Sequence, residues 1–157
     1  MGNTMFERKK YRQAKLCYQR ALLPDRATIA NAYFLRDEAG KLPIQGSSSR
    51  EKTPRNTAFV EAAEEFLSCV NLVPAQAPVY YRTAAKCFEE GNSLRRAAKA
   101  YVLAGEYNRP IEIWDSLGMF DEAIDLIRKH EDDIDVDLVD QVFRHGKTHY
   151  YRRKEYS

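Results

Sequence analysis

The sequence lacks the features of several protein classes. No run of 18 apolar residues occurs among its 157 residues, so the sequence predicts no membrane-spanning segment. The N-terminal stretch MGNTMFERKKYRQA has no apolar core of a secretion signal, and Phe6 stands where a myristoylation site carries Ser or Thr. The net charge is only +2, so the charge balance of the whole chain indicates neither a nucleic-acid partner nor a membrane.

Cysteine is scarce as well. Cys17, Cys69 and Cys87 are the only three, and no CxxC spacing occurs. Each falls on an apolar face of a predicted helix, which favours reduced, buried thiols over a disulfide framework or a metal site. The pattern therefore predicts an intracellular protein, cytoplasmic or nuclear.

Patterns of catalysis and nucleotide binding are also missing. Gly146-Lys147-Thr148 resembles the end of a phosphate loop, but that loop needs a glycine where Gln141 stands, and the segment follows a predicted helix rather than a strand. No Ser-His-Asp or Cys-His grouping can be identified. We therefore predict a non-enzymatic chain with no catalytic residue and no cofactor.

Two groups of residues suggest a metal without completing its pattern. The carboxylates at 133, 135 and 137 alternate as in a calcium loop, but Leu138 and Arg144 replace the required Gly and Glu, so we interpret them as a helix start. His145 and His149 lie one helical turn apart without an H-E-x-x-H pattern or a nearby cysteine. We predict no metal site.

An internal repeat is the strongest positive signal. Relative positions 0, 9, 12, 16 and 19 carry similar residues in two segments, and the last three positions recur between them. The matching sets are Gly2, Tyr11, Ala14, Tyr18 and Ala21; Ala63, Leu67 and Val70; and Ala85, Leu94, Ala97, Tyr101 and Ala104. The step in residue number is 34 from Ala63 to Ala97 and 49 from Ala14 to Ala63, which is 34 plus an insert of 15. A period of 34 is typical of stacked helix-turn-helix pairs.

Periodicity and turn residues predict nine helices. They are expected at 2–9, 11–22, 26–39, 56–72, 77–90, 93–105, 108–117, 120–130 and 135–151. Pro24-Asp25 is expected to close the second helix, Gly40 to stop the third, and VPAQAP to form a turn. The segment 40–55 is predicted to be a flexible insert, and its Ser47, Ser48, Ser49 and Thr53 leave open a docking or phosphorylation role. Where helices cross, Gly2, Ala14, Ala85 and Ala97 are expected to let backbones approach, with Tyr11, Tyr18, Phe88 and Tyr101 filling the grooves.

The pattern GN-x-x-F-x-x-x-x-Y-x-x-A-x-x-x-Y-x-x-A at residues 2–21 resembles the tetratricopeptide repeat family, and the resemblance extends over most of the chain. It implies an all-α fold, a right-handed α-solenoid of stacked repeats forming one domain over 1–157, whose concave face binds a protein or peptide. The leading hypothesis is accordingly a non-catalytic interaction scaffold. Asn3, Arg82, Lys86 and Glu89, on the first helices of their pairs, are its candidate contacts.

A carboxylate clamp of the kind found in chaperone-binding members of that family is not predicted. Asn3 matches the first asparagine of the clamp, but Val79 and Thr83 stand where its third-repeat basic residues belong.

A narrower resemblance links FERKKYRQAKLCYQRAL and the Ala-rich hairpins after it to the helical region that follows the UvrD-like helicase module in large fungal proteins and in animal tetratricopeptide-and-ankyrin proteins. It implies the alternative hypothesis, an accessory arm that contacts nucleic acid. Lys147, Tyr151, Arg152 and Arg153 are the candidate contacts, because aromatics among cations can stack bases and hold phosphates. The tail YYRRKEYS resembles MFERKKYR near the start, so we expect a piece of a longer array, with neighbouring repeats of the parent chain as partners.

Overall fold

Every regular element is helical in the part of the chain that the computed structural model describes, which is residues 2–7, 9–44 and 53–155, with side chains up to residue 150. The helices are α1 (Gly2–Glu7), α2 (Tyr11–Arg20), α3 (Pro24–Lys41), α4 (Pro54–Cys69), α5 (Ala77–Glu90), α6 (Leu94–Leu103), α7 (Asn108–Ser116), α8 (Phe120–Lys129) and α9 (Val136–Glu155). Short 3-10 turns precede α5 at Pro74–Gln76 and α9 at Glu131–Asp133. The all-α prediction is confirmed for these residues.

The helices pack in chain order. Each contacts the next from α1 to α8, and α9 returns onto both α7 and α8. Most connections are only a few residues long, which makes neighbouring helices form hairpins. No helix among the described residues is long and apolar enough to cross a membrane.

Five helices end in the same turn. A residue just after each helix adopts positive φ, and the next amide donates to a carbonyl five residues back, which is the Schellman arrangement. At the end of α1, for example, the amide of Lys10 donates to Met5 over 2.7 Å and the amide of Lys9 donates to Phe6 over 2.9 Å. The positive-φ residues are Lys9, Leu22, Asn92, Gly105 and Gly118. Leu22 follows Lys9 by 13 residues. The same step of 13 leads from Asn92 to Gly105 and from Gly105 to Gly118, and Asn92 follows Lys9 by 83 residues.

Buried side chains form two clusters. The central core extends from α3 to α9 and includes Phe66, Phe88 and Trp114. The smaller N-terminal core consists of Ala14, Tyr18, Ala27 and Ala30, with Met5 and Phe6 packed against it.

The predicted close helix crossings are confirmed by this packing. Ala14, Ala85 and Ala97 are fully buried. A methyl group on Gly2 would lie 2.6 Å from the ring of Tyr18, so only glycine fits against that ring without a shift.

Several predicted helix boundaries were wrong by a few residues. Pro24 does not close the second helix but begins α3, because proline at a first helical position loses no hydrogen bond. Gly40 does not stop α3, which continues to Lys41. Residues 70–72 leave the helical path after Cys69, and α9 continues to Glu155 rather than ending at 151. The other ends agree within two residues.

The segment between α3 and α4 is shorter than the predicted insert. Of the predicted range 40–55, residues 40, 41, 54 and 55 are helical. Residues 45–52, which include Ser47, Ser48 and Ser49, lie outside the described residues. Thr53 is buried, and its hydroxyl accepts a 3.1 Å hydrogen bond from the amide of Asn56. This capping role explains Thr53 structurally and argues against its modification in the folded chain.

Candidate functional site

A groove with a volume of about 420 Å³ lies against several helices of the N-terminal half. We call it the N-terminal groove. Its walls come from α1, α2 and α3, from the 3-10 turn after α4, and from the start of α5. The lining residues are Asn3, Phe6, Tyr18, Arg26, Ile29, Tyr33, Gln76, Val79 and Tyr80.

The floor of the groove is aromatic and tightly held. The ring of Tyr33 meets the edge of Phe6 with centroids 5.1 Å apart and the edge of Phe66 at 4.9 Å. Tyr11 stacks on Tyr33 at 5.0 Å, and the guanidinium of Arg36 lies 4.9 Å from the Tyr33 ring centre. Because these contacts hold Tyr33 between several helices, the floor is preorganised for a ligand rather than formed around it.

A hydrogen-bonded junction closes the polar end of the groove. The side-chain oxygen of Asn3 accepts from the hydroxyl of Tyr18 over 2.6 Å and from the guanidinium of Arg26 over 3.4 Å. We call these three residues the N-terminal junction. A guanidinium can only donate, so the Asn3 atom that it approaches must be the oxygen. Both N–H groups of Asn3 are therefore left without a partner among the described residues.

The electrostatics of the groove are one-sided. Among the described residues that line it, Arg26 is the only charged one, and none is a carboxylate. Burial raises the pKa values of the Tyr33 and Tyr80 hydroxyls, so both groups are neutral hydrogen-bond donors near pH 7. The groove thus offers donors and one cation against an apolar floor.

A second junction with the same construction lies in the middle of the chain. Glu89 of α5 accepts hydrogen bonds from the hydroxyl of Tyr101 and from Arg109, whose Nε is 2.9 Å away. Arg109 also donates to Glu112 over 2.8 Å. We call these four residues the central junction. The step from Tyr18 to Tyr101 equals the step from Arg26 to Arg109, which is 83 residues, whereas the acceptors Asn3 and Glu89 are 86 residues apart. The two junctions therefore share the spacing of their donors and not of their acceptors.

Burial and hydrogen bonds to carboxylates raise two pKa values at the central junction. Burial and then the hydrogen bond to the Glu89 carboxylate raise the pKa of the Tyr101 hydroxyl far above its ordinary value. Hydrogen bonds to Glu89 and Glu112 raise the pKa of Arg109 as well. These groups therefore keep their protons, and the junction acts as a fixed structural contact between α5, α6 and α7.

The residues predicted to contact a protein partner are not brought together. Asn3 lines the N-terminal groove, whereas Glu89 is held in the central junction and Arg82 pairs with Glu106 at the α6–α7 turn. Lys86 is exposed on α5. On α9, Lys147 is exposed, and the side chains of Tyr151, Arg152 and Arg153 lie outside the described part of the structure.

Sequence reasoning missed the residues that join Asn3 in the groove. Arg26, Tyr33 and Tyr80 were not selected, because they stand outside the five positions that define the repeat. A signal was present for Arg26, since the step that relates Tyr18 to Tyr101 also relates Arg26 to Arg109.

Reactive chemistry is not apparent among the residues that the structure describes. The thiols are unpaired, and burial raises the pKa values of Cys69 and Cys87 to about 11, which disfavours the nucleophilic thiolate. Cys17 is only partly buried, contrary to the prediction, and its sulfur lies 3.9 Å from that of Met5. No group of three or more His, Cys, Asp and Glu side chains in these residues could hold a metal ion.

A carboxylate that is buried in the described structure joins two helices. Asp115 of α7 is hydrogen-bonded by Gln141 over 3.0 Å and by His145 over 2.9 Å, both from α9. These contacts attach α9 to α7. His145 therefore has a structural partner in Asp115, whereas the sequence had raised the question of a metal shared with His149.

Comparisons with models of known families, with curated proteins and with solved structures found no match to this chain.

Proposed function

We propose that the chain is a non-catalytic scaffold, a right-handed tetratricopeptide-like solenoid whose N-terminal groove binds a peptide segment of a partner protein. The single observation that carries the proposal is the groove itself, lined by α1, α3 and the start of α5 with a fixed aromatic floor. Rigid, apolar concavities with a few polar groups are the usual form of a binding site.

The recurring helix ends support the repeat architecture. The five Schellman turns follow steps of 13 and 83 in residue number, and 83 is two periods of 34 plus the insert of 15. A repeat of backbone turns and junction residues at the same spacing is what stacked, related hairpins require.

A displayed library of random peptides, selected on the purified chain, tests this proposal. We expect enriched peptides whose affinity falls about tenfold or more in Val79→Gln, because Val79 is 43% exposed and lines the groove. Val136→Gln is the matched control, since Val136 is 72% exposed and lies on α9. Its affinity should equal that of the unmodified chain.

Two results would contradict the proposal. One is a selection that enriches no peptide above an unrelated protein. The other is a set of enriched peptides that bind Val79→Gln and the unmodified chain equally well while both remain folded by circular dichroism.

A second candidate function is the nucleic-acid-contacting accessory arm of a UvrD-like helicase. It is favoured by a cavity of about 330 Å³ at the start of α2, beside Lys9, Lys10 and Arg12. These three cations have no ion-pair partner in the residues that the structure describes, although Asp37 and Glu38 also line the cavity.

Fluorescence anisotropy with a labelled single-stranded oligonucleotide tests this second candidate at low salt and near 0.2 M salt. Micromolar binding that weakens at least tenfold with salt, and that is lost in Lys9→Glu/Lys10→Glu, would support it. Absence of binding at low salt would rule it out for this chain.

A further inference from the structure

We propose that the N-terminal groove selects acidic peptides: an Asp or Glu side chain of the partner lies against Arg26 and Asn3, and an adjacent apolar side chain lies on the aromatic floor. This inference rests on the proposed peptide-binding function and specifies the class of partner.

Unused donors at one end of the groove are the first argument. The oxygen of Asn3 is already occupied by Tyr18 and Arg26, and its two N–H groups have no acceptor among the described residues. One nitrogen of Arg26 donates a long 3.4 Å hydrogen bond to Asn3, and its other N–H groups remain available to a ligand. A carboxylate accepts several such donors at once, and charge-assisted hydrogen bonds are about twice as strong as neutral ones.

The second argument is that Arg26 has no carboxylate of its own. The repeat-related Arg109 pairs with Glu89 and Glu112, and Arg82 pairs with Glu106. Arg26 forms no ion pair with any residue in the described ranges, and the groove that it lines contains no acidic residue. The groove therefore complements a negative charge, and a basic peptide would meet a cation without a balancing anion.

The apolar floor favours a peptide over a nucleic-acid strand. Base recognition by aromatic residues needs a free ring face. Tyr11 and the guanidinium of Arg36 lie against the Tyr33 ring, and Phe6 meets that ring edge-on. Ile29 and Val79 complete the wall with aliphatic surface, which suits an aliphatic or aromatic side chain beside the acidic one.

The test uses the peptides enriched by the library selection, synthesised with amidated C-termini so that side chains supply the only carboxylates. We expect Asp or Glu next to an apolar residue in these peptides. Replacing that acidic residue by its amide should weaken binding about tenfold, and so should Arg26→Gln. Combining the two changes should weaken binding little further, because both remove the same contact. Arg95→Gln, at an exposed arginine of α6, is the matched control and should bind normally.

The possible outcomes distinguish the acidic-peptide inference from the peptide-binding function. Peptides that need Val79 but carry no acidic residue, or that bind Arg26→Gln unchanged, would overturn the acidic-peptide inference and leave the peptide-binding function standing. Binding that requires a free C-terminal carboxylate would also overturn it. Failure to enrich any peptide that depends on Val79 would remove both proposals.

Discussion

The N-terminal and central junctions share a tyrosine and an arginine at the same spacing and differ in their acceptor, in both residue type and position. Asn3 receives Tyr18 and Arg26 in the first, whereas Glu89 receives Tyr101 and Arg109 in the second. A neutral amide holds its arginine at 3.4 Å, whereas two carboxylates hold Arg109. The first junction lines the N-terminal groove, whereas the arginine of the second is paired with carboxylates of its own chain. The same tyrosine and arginine spacing thus occurs once with a neutral acceptor and once with two carboxylates.

The largest expected difference is in the free energy of unfolding when a side chain of each core is truncated. Phe88 and Met5 occupy related positions of the repeat, but Phe88 is 1% exposed within the central core, whereas Met5 is half-buried beside the small N-terminal core. Phe88→Ala should lower the free energy of unfolding by about 3–5 kcal/mol and Met5→Ala by about 1–2 kcal/mol. Urea denaturation followed by circular dichroism measures both, and equal losses would contradict the distinction between the cores.

Only the central core buries its thiols fully, which predicts a loss of stability in alkali. The pKa values of Cys69 and Cys87 rise from 9.0 to about 11 on folding, so between these pH values the unfolded chain ionises while the folded chain keeps its protons. Stability should therefore fall as the pH rises from 9 to 11, by about 2–3 kcal/mol for each thiol. Cys87→Ala should show a shallower fall in urea titrations at pH 8, 9.5 and 11. The same slope in both proteins would count against this cause.

Removing the acceptor should matter more in the central junction. Glu89→Ala should lower the free energy of unfolding by about 1–2 kcal/mol, since it leaves the buried Tyr101 hydroxyl and Arg109 without their shared carboxylate. Asn3→Ala should cost about 0.5 kcal/mol or less, because its amide carries no charge, its contact with Arg26 is long and exposed, and its contact with Tyr18 is only partly buried. Thermal unfolding of the two variants side by side decides this, and an equal loss would mean that the carboxylate adds nothing.

The smallest expected effects concern the turns that end α2 and α6. Leu22 and Gly105 stand at related positions with φ of 56° and 82°, a conformation that glycine adopts freely and leucine does not. Leu22 is 85% exposed, so Leu22→Gly removes strain and little packing, and should stabilise the chain by about 0.5 kcal/mol. Gly105→Ala should destabilise it by about 1 kcal/mol. Changes of the same sign in urea denaturation would contradict the shared turn geometry.

Sequence patterns predicted the helices better than their ends. The period of 34 and the small residues at fixed positions placed the hairpins, because helix crossing restricts side-chain size locally. Pro24 was misinterpreted because proline suits both a break after one helix and the first position of the next.

The candidate site was predicted less completely. Asn3 was identified from the repeat motif, but Arg26 and Tyr33 lie on α3, outside the positions that define that motif. Glu89 was selected for its position on the first helix of a pair, and the structure occupies it with Tyr101 and Arg109.

The sequence by itself determined the all-α content, the order of the hairpins and the positions where helices approach, since these depend on periodicity and side-chain volume within short segments. Tertiary structure decided which polar residues meet when they are far apart in the sequence, because that depends on how the helices pack. Arg26 and Arg109 are the same residue 83 positions apart, yet among the described residues only Arg109 meets carboxylates. Glu112 follows it by one turn on α7, and packing brings Glu89 of α5 to it.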